Sequence, residues 1–204
     1  MEKLLETFEA LKQKNLSIDL TRGKPHSDQL DLSNDLMTQA VDAIGENGVD
    51  LRNYGEPIGI IEARKLGADI LDSKIDLTIA GEQSSYLLMT QLLLGRFLFG
   101  LDDDPWKNDK EPAFLCAVPG FDRHFATLEG LGLKMHTVNL CSSGIDLDDL
   151  NKKLSKHSNI KGLICVPRHS NPSGEVFSDE NITNLLKITK EYNSSFINLF
   201  DHAY

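Results

Sequence analysis

Apolar residues recur along this chain with two different spacings, and the change from one to the other outlines its elements. Leu4, Leu5, Phe8 and Leu11 fall on one face at helical spacing, so the first dozen residues form an amphipathic helix that needs something to pack on. Leu36, Met37, Ala40, Val41 and Ile44 repeat the pattern, and Gly45 and Gly48 end it. Ile58, Ile61, Ala63, Leu66 and Ile70 predict another helix, and Asp76–Ile79 a short strand. Ser84 and Ser85 then open a long helix through the apolar run near Tyr86–Leu101. Beyond it, compact apolar runs alternate with amphipathic stretches. The runs Ala113–Val118, Leu133–Val138, Gly162–Val166 and Phe196–Phe200 read as strands. Between them lie helices from Phe121 to Gly130, Asp146 to Leu154 and Asp179 to Tyr192.

This alternation predicts an α/β fold with a mostly parallel sheet and flanking helices, preceded by an N-terminal helical arm. Near-continuous apolar strands suit a sheet covered on both faces. In such a sheet the ligand crevice lies beyond the carboxyl ends of the strands. Asn171 follows one strand end, and Asp201 and Tyr204 follow another, one βαβ crossover later.

With 204 residues and 40% hydrophobic content the chain can build a sizeable core. Its net charge of −10 is spread along the sequence, which favours solubility and disfavours nucleic-acid and anionic-membrane partners. Thr90, Gln91 and Arg96 interrupt the longest apolar run, and acids and lysines alternate at the start, so neither a membrane span nor a signal peptide is expected. Cys116, Cys141 and Cys165 are odd in number and far apart, and they read as reduced thiols of a cytoplasmic protein, not as a disulfide framework or a metal site. No Gly-x-Gly-x-x-Gly or Walker pattern follows a predicted strand, which weakens a nucleotide-binding reading.

Taken singly, Asn171-Pro172-Ser173-Gly174 is a β-turn, Asp201 an N-cap and Tyr204 a half-buried aromatic. Taken together and in order, Asn-Pro-Ser-Gly after one strand and Asp201-His202-Ala203-Tyr204 after the next resemble the cofactor-holding pair of class I aminotransferases, enzymes dependent on pyridoxal phosphate (PLP). The resemblance implies that Asn171 and Tyr204 contact the ring hydroxyl oxygen and that Asp201 pairs with the pyridine nitrogen. An ionised carboxylate there keeps the ring protonated, and the ring then takes up electrons released when a substrate Cα–H bond breaks.

Further stretches are similar to an aspartate-aminotransferase-like subgroup of that family. Leu20-Thr21-Arg22-Gly23-Lys24-Pro25 matches its opening, which implies that Gly23 lies at the substrate carboxylate, with Arg22 and Lys24 both open as contacts. Tyr54, in Leu51-Arg52-Asn53-Tyr54-Gly55, is implied to reach the cofactor phosphate of the other subunit of a homodimer. A surface aromatic packed under the next helix is the alternative. Ser84 and Ser85 stand where the subgroup has its phosphate cup, although Glu82 and Gln83 depart from the Gly-Gly-Asn pattern, and a carboxylate beside a dianion is repulsive. Phe121 occupies the place of the ring that stacks on the pyridine, where any flat apolar face serves. His124 reads as a packing or hydrogen-bonded histidine.

The resemblance therefore implies an arm with helices over residues 1–50 and an incomplete PLP-binding large domain over 51–204. The lysine that forms the Schiff base is expected beyond Tyr204, since the last lysine here, Lys190, lies on the crossover helix, so no catalytic residue is assigned within the chain. Two functions follow. One is the N-terminal part of an aminotransferase that moves an amino group from aspartate or a similar amino acid to a 2-oxo acid. The other is a non-catalytic relic or interaction module that holds PLP or phosphate without a covalent bond.

Overall fold

The computed structural model describes residues 2–18, 24–81, 83–101 and 103–203. Contacts divide the chain into two units, one of Met1–Glu56 with Ile60–Glu62 and the other of Pro57–Gly59 with Ala63–Tyr204. In the first unit, α1 (Glu2–Gln13) forms as its spacing predicts, yet none of its residues is buried, and Leu4, Leu5, Phe8 and Leu11 are all exposed. The short α2 (Ser27–Asp31) starts with reciprocal bonds, in which the His26 ring accepts from the Asp28 amide and the Gln29 side chain accepts from the His26 amide.

The helix predicted around Leu36–Ile44 does not form. A 3₁₀ turn over Asn34–Thr38 gives way to extended backbone at Gln39, and Ile44 pairs with Asp50 in an antiparallel bridge. Leu36, Met37 and Val41 are exposed. A helix of that length holds chiefly through the docking of its apolar face, and here that face is undocked.

In the second unit, α3 (Ile61–Ile70), most of which belongs here, is followed by a second correction. Asp76–Ile79 is not a strand, and Ile75–Leu77 is a 3₁₀ turn. The Arg64 guanidinium donates to Ile75 O at 2.7 Å and to Thr78 O at 2.9 Å, and so takes carbonyls that a strand would present to a neighbour. The long helix α4 (Ser85–Phe99) then runs to Gly100, whose φ of +82° needs no Cβ to be accommodated.

From here strands and helices alternate as the sequence predicts: β1 (Ala113–Val118), α5 (Asp122–Gly130), β2 (Lys134–Cys141), β3 (Gly144–Ile145), α6 (Leu147–Lys156), β4 (Ile160–Cys165), α7 (Asp179–Tyr192) and β5 (Ile197–Phe200). The sheet order is β3-β2-β1-β4-β5, with β2, β1, β4 and β5 parallel. Two details were not foreseen. β2 runs on to Cys141, and the two-residue β3 pairs with its end in the antiparallel sense.

Side chains of β1 alternate between two cores. Ala113, Leu115 and Ala117 join Leu163, with Leu150 and Leu154 of α6 and Leu185 of α7, whereas Phe114 and Cys116 join Ile164, with Leu93 of α4 and Leu128 of α5. Helices thus cover both faces, as near-continuous apolar strands require. From β1 the chain goes outward to β2 on one side, and from β4 outward to β5 on the other, so the strand order reverses between β1 and β4. Ligand crevices of open α/β sheets form at such a reversal. No helix among the described residues is long and apolar enough to cross a membrane.

Candidate functional site

A cavity of about 210 Å³ opens at that reversal, beyond the carboxyl ends of β1, β4 and β5. Phe121 reaches it from the turn after β1, Val166 and Asn171 from the loop after β4, Asp201 and Ala203 from the segment after β5, and Ser84, Ser85 and Tyr86 from the start of α4. Chain segments from Ser84 to Ala203 thus converge only through the parallel sheet. Of the residues singled out by sequence, Ser84, Ser85, Phe121, Asn171 and Asp201 line this one cavity. Tyr54 belongs to the first unit and is 97% exposed. Gly23 and Tyr204, as well as Glu82, lie outside the described residues.

Asp201 is 5% exposed and is fixed from both ends. Its backbone amide donates to Cys165 O at 3.0 Å, which continues the β4–β5 ladder one step past β5. Its Oδ2 lies 3.0 Å from Nε2 of His124, itself 3% exposed. Burial alone would raise the carboxyl pKa, but the hydrogen bond and charge of His124 outweigh it, helped by the Ser85 hydroxyl and the Ala203 amide. The net result is a carboxyl below its usual range. Oδ1 is different. It is buried and has no hydrogen-bond partner among the described residues. A buried carboxylate oxygen without a donor is costly unless one arrives from outside the chain.

His124 is the residue whose role the sequence understated. It sits with Leu128 on the buried face of α5, one turn apart, and its amide donates to Phe121 O at 3.2 Å. A polar residue at an inward helical position needs a partner, and that was the available signal. The Phe121 ring meets the His124 ring edge-on, with centroids 5.1 Å apart and planes at 86°, so a single turn places both the aromatic wall of the cavity and the clamp on Asp201.

Ser84 is the N-cap residue of α4, but its side chain makes no capping bond, and its carbonyl accepts from Leu87 and Leu88. The hydroxyl therefore stays available at the cavity wall beside amides that lack helical partners. No acidic residue stands in the first turn of α4, so the positive end of the helix dipole is not neutralised there. Tyr86 is tied to α5, since Thr127 Oγ1 donates to its hydroxyl oxygen at 2.7 Å. Arg123 also lines the cavity, a contribution that the sequence reading did not foresee.

The cavity thus offers a carboxylate acceptor for a cationic N–H, an aromatic face for a flat ring, and a helix start with serines for an anion. One ligand carrying all three features would satisfy it. The family model described as aspartate amino-transferase matches residues 1–204. An aspartate aminotransferase of Corynebacterium glutamicum is 35% identical over 209 residues, covering 100% of this chain and 48% of its own length. The crystal structure of an aspartate transaminase from that organism superposes with a TM-score of 0.88 at 34% identity, again over 100% of this chain and 48% of its own. An α-aminoadipate aminotransferase of Thermus thermophilus, complexed with N-(5′-phosphopyridoxyl)-L-leucine, shares the fold at a TM-score of 0.57 and 21% identity over 75% of this chain and 36% of its own. The chain spans about half the length of the curated relatives it matches. By sequence over its whole length, and by fold, this chain belongs to the aspartate amino-transferase family.

Proposed function

We propose that this chain contributes the ring-binding and helix-start portion of a PLP site in a cytoplasmic, homodimeric aminotransferase that moves an amino group from aspartate or a similar amino acid to a 2-oxo acid. The observation that carries this reading is the buried Asp201 carboxylate in the cavity wall, held at Oδ2 by His124 and without a hydrogen-bond partner at Oδ1. The fit is chemical. Oδ1 would accept from a protonated pyridine nitrogen, Phe121 would lie against the ring, Asn171 and Tyr204 would contact the ring hydroxyl, and Ser84 with the backbone start of α4 at Ser85 would meet the phosphate, the Ser85 hydroxyl being engaged by Asp201. Gly23 and Tyr54 are proposed for the substrate carboxylate and the partner's phosphate, on the family resemblance of their motifs. PLP held by these residues would supply an electron sink for Cα–H cleavage.

The chain's own residues act by holding charge and excluding water. His124 keeps Asp201 ionised, so the carboxylate can stabilise a cation at the floor of the cavity. Burial of both groups keeps that interaction out of solvent, where it is stronger. Equilibrium dialysis with PLP tests the reading. Asp201→Ala should weaken binding roughly tenfold or more, the scale of a lost charge-assisted hydrogen bond. Unchanged affinity would sink the assignment.

A further inference from the structure

We infer that Arg123 is a phosphate-binding residue of this site, reaching from α5 to the anion held at the start of α4. The inference rests on the PLP reading above and deepens it. Arg123 lies one turn before Thr127 on α5, on the same face, and Thr127 is bonded to Tyr86 in the first turn of α4. That bond fixes which face of α5 looks at the opening of α4, and Arg123 extends the face toward Ser84 and Ser85, with which it shares the cavity wall. Its neighbour His124 turns inward to Asp201, so consecutive residues of α5 serve two different groups of one site.

Charge strengthens the case. Among the described residues that line the cavity, Arg123 is the one lysine or arginine, in a chain of net charge −10. The guanidinium has no ion pair or hydrogen bond among the described residues. A helix start supplies only partial positive charge, which leaves a dianion under-compensated, and a guanidinium matches phosphate oxygens in a bidentate manner. The independent sign that a ligand belongs here is the buried, unpartnered Oδ1 of Asp201 in the same cavity wall.

The test compares pyridoxal phosphate with pyridoxal, which lacks the phosphate, on the native protein and its Arg123→Gln and Arg123→Lys variants. Arg123 is exposed, so neither variant should perturb the core. Arg123→Gln should weaken binding of the phosphorylated ligand about tenfold while pyridoxal changes less than about twofold, with Arg123→Lys between wild type and Arg123→Gln. Inorganic phosphate should compete with PLP in the wild type and compete less in Arg123→Gln. Equal losses for both ligands, or none for either, would overturn the assignment. So would an unchanged PLP affinity with weakened succinate binding, which would assign Arg123 to a substrate carboxylate instead. Failure of the wild type to bind either vitamer would overturn the PLP reading itself, a result distinct from a phosphate-blind Arg123→Gln variant.

Discussion

Asn181 of α7 holds both backbone groups of Ile145, 36 residues away: Nδ2 donates to Ile145 O at 2.8 Å, and Oδ1 accepts from Ile145 N at 3.0 Å. The side-chain amide thus stands in for the neighbouring strand that the two-residue β3 lacks on its outer side. Ile145 is fully buried and Asn181 is 6% exposed, so water cannot replace these bonds. Asn181→Ala should cost about 2–4 kcal/mol, the sum of two stranded backbone groups, measured by urea unfolding. A loss under about 0.5 kcal/mol would mean that β3 is anchored in some other way.

Asp201 should impose a pH dependence on stability. Its carboxyl pKa lies below the unfolded value, so its contribution is complete above about pH 4 and is lost as the pH falls through the lower folded value. Asp201→Asn is therefore expected to be less stable than wild type at neutral pH and to lose less between about pH 4 and pH 2.5. Parallel unfolding midpoints for the two proteins across that interval would contradict the ionised assignment.

The rings of His136 and His157 stack with centroids 3.8 Å apart and planes at 18°. Burial, then the neighbouring His157, then Lys134, Lys153 and Lys156 all lower the pKa of His136. The neutral ring is the folded form, so its contribution is complete above about pH 6.5 and declines as acid charges it. His136→Phe keeps an aromatic face and removes the proton. Its melting temperature should vary less than that of wild type between pH 7 and pH 5, and an identical slope in both would refute the account.

Thiol reactivity should divide the cysteines. Burial raises the Cys116 pKa to about 12 and pushes that of Cys165 up as well, whereas Cys141 is exposed. Maleimide should modify one thiol per native chain, at Cys141, and three once the chain is unfolded. Rapid native labelling of Cys116 would show that the β1 core opens readily.

The second half of the fold was legible because β1 and β4 are buried and apolar along almost their whole length and each helix carries one apolar face, so period and burial agree there. Around Leu36–Ile44 the same helical spacing misled, because no core receives the face and spacing alone does not hold a short helix. At Asp76–Ile79 the deciding residue was Arg64, far away in sequence, whose guanidinium takes the carbonyls. Asn171, Phe121 and Asp201 could be placed on the cavity wall from motifs, since each lies in the segment that follows a strand. Arg123 and His124 could not be separated into their roles by pattern, because the helix turn that divides them depends on what α5 packs against.

The order in which the cavity walls occur along the chain, from Ser84 through Phe121 and Asn171 to Asp201, has a consequence during synthesis. A ribosome releases the helix start and the aromatic wall long before the carboxylate. Until Asp201 emerges, the His124 ring lacks the carboxylate that it meets in the folded chain. A ligand that needs the Asp201 carboxylate can therefore help folding only after all four wall segments have emerged.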